Sequence, residues 1–198
     1  MSRKIVAPQR RKQIADALFL CLAESGHETV TIKDIARRAN LHYGVIHYYF
    51  KSKDEIVSEM ADSIIAKYGN LLLERTRSAH SATEKINIAV DFLVEEFIFN
   101  RRLNRVFYNL VQMAFERETI RDALRRQLRA YRRHIAAVIA EGTTNGEFPA
   151  RRSGPIASSL VALVEGMALQ WVIDSRALER KEVHSLIREM VDHYLFGH

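Results

Sequence analysis

Apolar side chains recur along this chain mostly with helical period, and Gly (8) and Pro (3) are scarce, so the pattern predicts an almost entirely α-helical protein. Ile14, Ala17, Leu18, Cys21 and Leu22 mark one face of a helix over 9–25, which Gly26 can end. "TIKDIARRAN" opens on Thr31, an N-cap with Asp34 as its capping-box partner, and buries Ile32, Ile35, Ala36 and Ala39. Asn40 can take the left-handed conformation that stops this helix, and a third short helix starts near His42. Ser52, with Glu55 as box partner, then starts a long fourth helix with a bend expected near Gly69. Ser81 with Glu84 opens another helix, running to about Phe99. "NRRLNRVFYNLVQMAFERE" and "TIRDALRRQLRAYRRHIAAVIAEG" read as two more, the second with a core stripe through Leu124, Leu128, Tyr131, Ile135 and Val138. "TTNGEFPARRSG" is the clearest loop. After it come "PIASSLVALVEGMALQWVID", apolar almost all round, and the amphipathic "RKEVHSLIREMVDHYLF".

Two short helices with a tight turn between them, braced by a longer helix on each side, form a helix-turn-helix arrangement. Wound as a helix, residues 42–51 turn Leu41, Ile46 and Tyr49, and less centrally Val45 and Phe50, toward the preceding helices. Tyr43, Gly44, His47, Tyr48 and Lys51 fall on the opposite side. Gly44 costs a helix about 1 kcal/mol relative to alanine, but it lets another surface approach the backbone. Tyr hydroxyls and His nitrogens can bond base edges or phosphates, and their rings can pack on thymine methyls. Tyr43, Gly44 and His47 are therefore candidates for base edges. Thr31, Lys51 and Tyr48 are candidates for phosphates, with Arg10, Arg11 and Lys12 adding non-specific attraction or entering the minor groove.

Charge sharpens this picture. Residues 1–53 carry ten Lys and Arg against four Asp and Glu, which accounts for the whole net charge of +6, while 54–198 is neutral. Such asymmetry points to a polyanion-binding module joined to a domain with a different task. The 198 residues suffice for one large or two small domains. One cysteine excludes an internal disulfide framework and fits a reducing cytoplasm; Cys21 lies on an apolar face, as a small buried hydrophobe. "MSRKIVAPQRRKQ" lacks the apolar core of a secretory signal. "LVALVEGMALQWVI" is shorter than the roughly 20 residues a bilayer needs and carries Glu165, so a cytoplasmic protein with no membrane partner is expected. The chain contains no glycine-rich phosphate loop, no nucleophile elbow and no clustered metal ligands, which argues against an enzyme, a cofactor or a metal. His42 and His47 stand about 140° apart on a helix and do not share an ion.

"TIKDIARRANLHYGVIHYYFKSKDEIV" resembles the DNA-binding domain of TetR-type transcriptional regulators, through the Thr-led helix, Gly44, the "YYF" run and Lys51 before a capped helix. The match covers residues 10–57. It departs at Asn40-Leu41-His42, where the family often has Gly-Val-Ser, and at Val45, where Thr or Ser is common. "LVALVEGMALQWVID" resembles the C-terminal domain of the family's BetI-like branch. The resemblance implies an all-α, TetR-like fold of about nine helices: residues 1–53 as a three-helix helix-turn-helix DNA-binding domain, and 54–198 as an effector-binding and dimerisation domain.

In that architecture the last two helices pair with their copies, which makes Leu160, Val164, Met167, Leu186, Met190 and Tyr194 candidates for the dimer interface. The helices between should enclose a small-molecule site. Its candidate residues are Phe92, Phe107, Tyr108, Gln112, Phe115, Tyr131, His134 and Trp171. The expected protein is a homodimeric repressor that binds a near-palindromic operator and releases it when an effector enters. A helix of about 20 residues spans about 30 Å, so a slight tilt of the fourth helix would move the recognition helices off their half-site spacing. The alternative, kept open by residues 42 and 45, is a protein of this fold that has lost DNA binding and acts through a protein partner.

Overall fold

The structure, a computed structural model, describes residues 3–149, 152–176 and 179–196. Among them every regular element is helical: α1 (Arg3–Glu24), α2 (Ile32–Arg38), α3 (Tyr43–Tyr49), α4 (Lys53–Thr76), α5 (Ala82–Leu93), α6 (Arg101–Glu116), α7 (Glu118–Thr144), α8 (Ser153–Ile173) and α9 (Arg180–Phe196), with a π-helical turn at Val94–Ile98. The helix ends fall where local chemistry places them. The Thr31 hydroxyl accepts the N–H of Asp34 at 3.2 Å while the Asp34 carboxylate accepts the Thr31 N–H at 2.9 Å, a complete capping box. Asn40 has φ 52°, the left-handed residue that ends this segment. Ser81 caps α5 through the Glu84 N–H at 3.0 Å. α1 starts six residues earlier than the pattern suggests and runs through Pro8, which forgoes one helical hydrogen bond near the open end.

Packing divides the chain into two units, Met1–Tyr68 with Arg105–Gln127, and Gly69–Asn104 with Leu128–His198. The chain passes from one to the other inside α4, α6 and α7. In the first unit Ile14, Leu18 and Leu22 of α1 pack with Ile35, Ile46, Phe50, Ile56 and Met60, and with Val106, Leu110, Met113 and Ile120. Cys21 is part of this core, and burial pushes its thiol up, so it is an inert hydrophobe.

In the second unit Ile86, Val90, Val94 and Ile98 pack with Ile139, Leu160, Val164, Ala168, Val183, Ile187, Val191 and Leu195. The sequence pattern carries α5 on to Phe99, but the chain widens into the π-helical turn instead. The fully buried Asn104 donates from Nδ2 to the carbonyls of Phe97 (3.1 Å) and Ile98 (3.0 Å) at the end of the turn. The loop after α7 is docked. Glu147 accepts the N–H groups of Ala82 (2.9 Å) and Thr83 (2.8 Å), which hold its carboxyl below the usual range, and Phe148 lies directly over Gly142.

α8 departs from one expectation. With 21 residues and a mean hydropathy of 1.7 over its most apolar window, it is long and apolar enough to cross a bilayer by length and composition. Run length alone therefore does not decide the matter. Ala157, Leu160, Val164, Met167 and Ala168 enter the core, yet only 17% of that window is buried within the chain. Ala162, Leu169 and Ile173 are left exposed.

Candidate nucleic-acid interface and apolar cavity

α3 divides as its sequence requires. Ile46 and Phe50 are buried and Leu41 and Tyr49 pack against the first core, while Tyr43, Gly44, His47, Tyr48 and Lys51 are exposed. Tyr48 is 78% exposed, far more than a tyrosine kept for packing. The rings of Tyr43 and His47 meet edge to face at 4.7 Å, which gives the outer face a fixed aromatic ridge. A Cβ on Gly44 would meet nothing closer than Nδ1 of His42 at 3.5 Å, so the glycine is not required by packing and leaves the backbone open to an approaching surface. Thr31 is exposed, with its hydroxyl already engaged in the capping box.

The serine cap usual in the family is replaced by His42, whose Nδ1 accepts the Gly44 N–H at 3.2 Å. The Ser52 hydroxyl accepts the Glu55 N–H at 3.2 Å, and the Glu55 carboxylate reaches back to the N–H of Lys51 at 2.8 Å, one residue earlier than the expected box. That backbone hydrogen bond is the main reason the Glu55 carboxyl sits below the usual range.

Arg11 has a structural task rather than the DNA-facing one expected of it. Its guanidinium donates to Glu59 at 2.6 and 2.9 Å, to Glu55 at 3.1 Å and to the Tyr49 carbonyl at 2.7 Å, and it stacks 4.1 Å from the Phe50 ring centre. It ties the C-terminal end of α3 to α1 and α4. Of its neighbours, Lys12 pairs with Asp16 at 2.5 Å, and Arg10 donates to Gln13 at 2.7 Å. Lys53 is a second brace that sequence reasoning missed. Its ammonium donates to the carbonyls of His27 (2.7 Å) and Val30 (2.6 Å), and burial, with Arg117 nearby, lowers its pKa against the pull of Asp54 and Asp34. The start of α4 is thereby bolted to the turn before α2.

The eight residues expected around an effector divide equally between the two units. Phe107, Tyr108, Gln112 and Phe115 belong to the first unit, and Phe92, Tyr131, His134 and Trp171 to the second. In the first, Phe107 meets Tyr108 at 5.6 Å, Gln112 is exposed, and Phe115 is 81% exposed. In the second, Phe92 is buried beneath the guanidinium of Arg75 at 5.1 Å, Tyr131 is half-buried and His134 exposed. Trp171 meets Phe99 at 5.3 Å under Arg101. None of the eight lines the cavity found inside the second unit. That space of about 30 Å³ is bounded by Ile86, Val90 and Leu93 of α5, Ile135 of α7, Leu160 and Val164 of α8, and Ile187 and Val191 of α9. Its lining is wholly aliphatic, apart from the helix backbone, and its volume is that of a water-sized group.

Leu160, Val164 and Met167, expected on a dimer seam, are 7–9% exposed and turn into their own chain's core. The physical reason is the phase of α8: a helix apolar on every side gives no sequence signal for which face is inward. Leu186, Met190 and Tyr194 of α9 are exposed, between 36 and 46%. Glu165 is half-buried on α8, and burial raises its carboxyl above the usual range, with Arg132 acting the other way.

These features agree with what the chain is similar to. Residues 14–60 match the family described as bacterial regulatory proteins, tetR family, and residues 82–195 match the BetI-type transcriptional repressor, C-terminal. The HTH-type transcriptional regulator BetI of Escherichia coli O17:K52:H18 (strain UMN026 / ExPEC) is 25% identical over 190 residues, 94% of each chain. A regulator from Saccharomonospora viridis, solved in complex with choline, superposes with a TM-score of 0.84 at 21% identity, covering 95% of this chain and 98% of that one. FadR from Bacillus subtilis, solved with stearoyl-CoA, gives a TM-score of 0.79 at 18% identity, covering 94% and 98%. The chain belongs to the TetR family of DNA-binding transcriptional regulators, with a C-terminal part of the BetI type.

Proposed function

We propose that the protein is a homodimeric repressor that releases a near-palindromic operator when a small molecule enters its C-terminal part. In this reading residues 1–53 read DNA, and 54–198 receive the effector and join the two copies. The observation that carries the first half is the exposed face of Tyr43, Gly44, His47, Tyr48 and Lys51, polar and aromatic where a solvated helix would carry flexible charges. Tyr43, Gly44 and His47 meet base edges; Thr31, Tyr48 and Lys51 meet phosphates.

The aliphatic cavity supports the second half. At about 30 Å³ it is too small for any metabolite, so a ligand entering there has to push α5, α7, α8 and α9 apart. Displacement of that kind is what an inducer must cause, since a ligand that fits both states equally shifts neither. Choline and stearoyl-CoA, present in the two structural neighbours, are the first compounds to try. For the pairing of two copies we favour the uncovered side of α8, Ala162, Gly166, Leu169 and Ile173, beside Leu186, Met190 and Tyr194 of α9.

The experiment is calorimetry of both compounds with and without operator DNA. A hundredfold preference for the free dimer corresponds to about 2.7 kcal/mol of coupling, and DNA must weaken the compound's binding by the same factor. Equal affinity in both conditions would remove that compound as an inducer.

A further inference from the structure

We propose that His42 is a DNA contact in its own right, with Nδ1 committed to the helix and Nε2–H held as a donor toward an acceptor on the duplex. The proposal rests on the DNA-binding reading above and adds a residue to it. The Nδ1 atom accepts the Gly44 N–H at 3.2 Å, and the backbone at His42 is extended, with φ −68° and ψ 141°. A nitrogen that accepts a hydrogen bond carries no proton, so the neutral ring bears its hydrogen on Nε2. The ring lies near Gly44, since a Cβ built there would have the ring's Nδ1 at 3.5 Å and its Cε1 at 4.0 Å. Its position is therefore fixed by a short-range hydrogen bond rather than by burial.

Nε2 is the second ring nitrogen, joined to Nδ1 through Cε1. Among the described residues it meets no partner within the chain, and His42 is exposed beside the Tyr43–His47 ridge. A serine at this position would cap the helix with a short hydroxyl close to the backbone. The imidazole caps with Nδ1 and keeps Nε2–H as a second, separate donor. The acceptors that suit it are guanine N7 or O6 in the major groove and phosphate oxygens.

The test uses the full-length protein, a duplex enriched from a random-sequence pool by the unmodified protein, and a scrambled duplex of equal length and composition. H42S and H42N keep a capping side chain but hold their hydroxyl or amide donor closer to the backbone than Nε2; H42A loses both. H42S and H42N should keep the parent melting temperature and bind the enriched duplex about tenfold more weakly. Loss confined to the enriched duplex assigns the donor to a base edge, and equal loss on both duplexes assigns it to a phosphate; either supports the contact. Parent affinity in both H42S and H42N overturns it, as does a ¹⁵N spectrum of the free protein with the imidazole proton on Nδ1. Enrichment of no sequence by the unmodified protein would overturn the DNA-binding reading and the contact together, a different failure from the variant result.

Discussion

Asn109 of α6 accepts the backbone N–H of His27 on its Oδ1 at 2.8 Å, across 82 positions of sequence. Its Nδ2 donates to the carbonyls of Leu22 (3.2 Å) and Arg105 (2.9 Å), so one buried amide ties the end of α1 and the turn before α2 to α6. Replacing it with leucine keeps much of the volume and leaves a buried N–H without its partner. Asn109→Leu should cost about 1–3 kcal/mol, read as a lower urea midpoint. An unchanged midpoint would mean that the turn finds other partners.

Among the described glycines, Gly142 is the one where an added methyl group meets the closest neighbours. An added Cβ would lie 2.2 Å from Cε2 of Phe148 and 2.9 Å from Cβ of Ala82. Gly142→Ala should destabilise by about 1–3 kcal/mol through overpacking. Phe148→Ala removes the obstructing ring, so the double variant should lose less than the sum of the two single losses. Simple additivity in thermal unfolding would contradict the clash.

Asp91 supplies the pH dependence. Arg188 donates to both its oxygens at 2.7 and 2.9 Å, and Nε2 of His184 lies 2.6 Å from Oδ1. Burial pushes the carboxyl up, but the hydrogen bonds from Arg188 and His184 outweigh it and hold it below the usual range. A folded value below the unfolded one means that the clasp stabilises at and above the ordinary carboxylate range. That stability is lost as pH falls through the folded value. Asp91→Asn should lower neutral-pH stability by less than about 1 kcal/mol, given solvent screening, and should flatten the acid limb of the stability curve. An acid limb identical to the parent's would remove Asp91 from this role.

The exposed and inward faces of α8 and α9 should respond differently to charge. Ile173→Glu or Met190→Glu should leave a folded chain that sediments as a monomer and binds DNA poorly. Leu160→Glu places a carboxylate in the chain's own core and should abolish cooperative unfolding. A native protein that sediments as a monomer at micromolar concentration would end the dimer proposal.

The elements were legible in the sequence wherever local chemistry decides them. Thr31 with Asp34, and Ser81 with Glu84, are short-range pairs, and Asn40 reports its own left-handed backbone. The inward and outward faces of α3 followed from the alternation of Ile46 and Phe50 with His47 and Tyr48. What escaped depends on partners distant in sequence. Arg11 looks like any basic residue near a DNA reader until Glu55 and Glu59 arrive from α4. Lys53 and Asn109 carry no local mark of the carbonyls they meet. The π-helical turn and the inward face of α8 escaped because a run of apolar residues has no phase. The cavity of the second unit is lined by aliphatic positions such as Ile86, Leu160 and Ile187, which look in the sequence like any other core residues.

The most direct measurement is selection of duplexes from a random-sequence pool by the full-length protein, repeated with Tyr43→Ala, His47→Ala and Lys51→Ala. Enrichment of a near-palindrome is predicted, with half-site centres about 34–36 Å apart or a multiple of that distance. Tyr43→Ala and His47→Ala should each lose about 1–3 kcal/mol on the enriched duplex and little on scrambled DNA. Lys51→Ala should weaken both and flatten the salt dependence, because it removes a phosphate contact. Enrichment of no sequence, or a preference left intact by Tyr43→Ala and His47→Ala, would contradict the assignment of this face to operator readout.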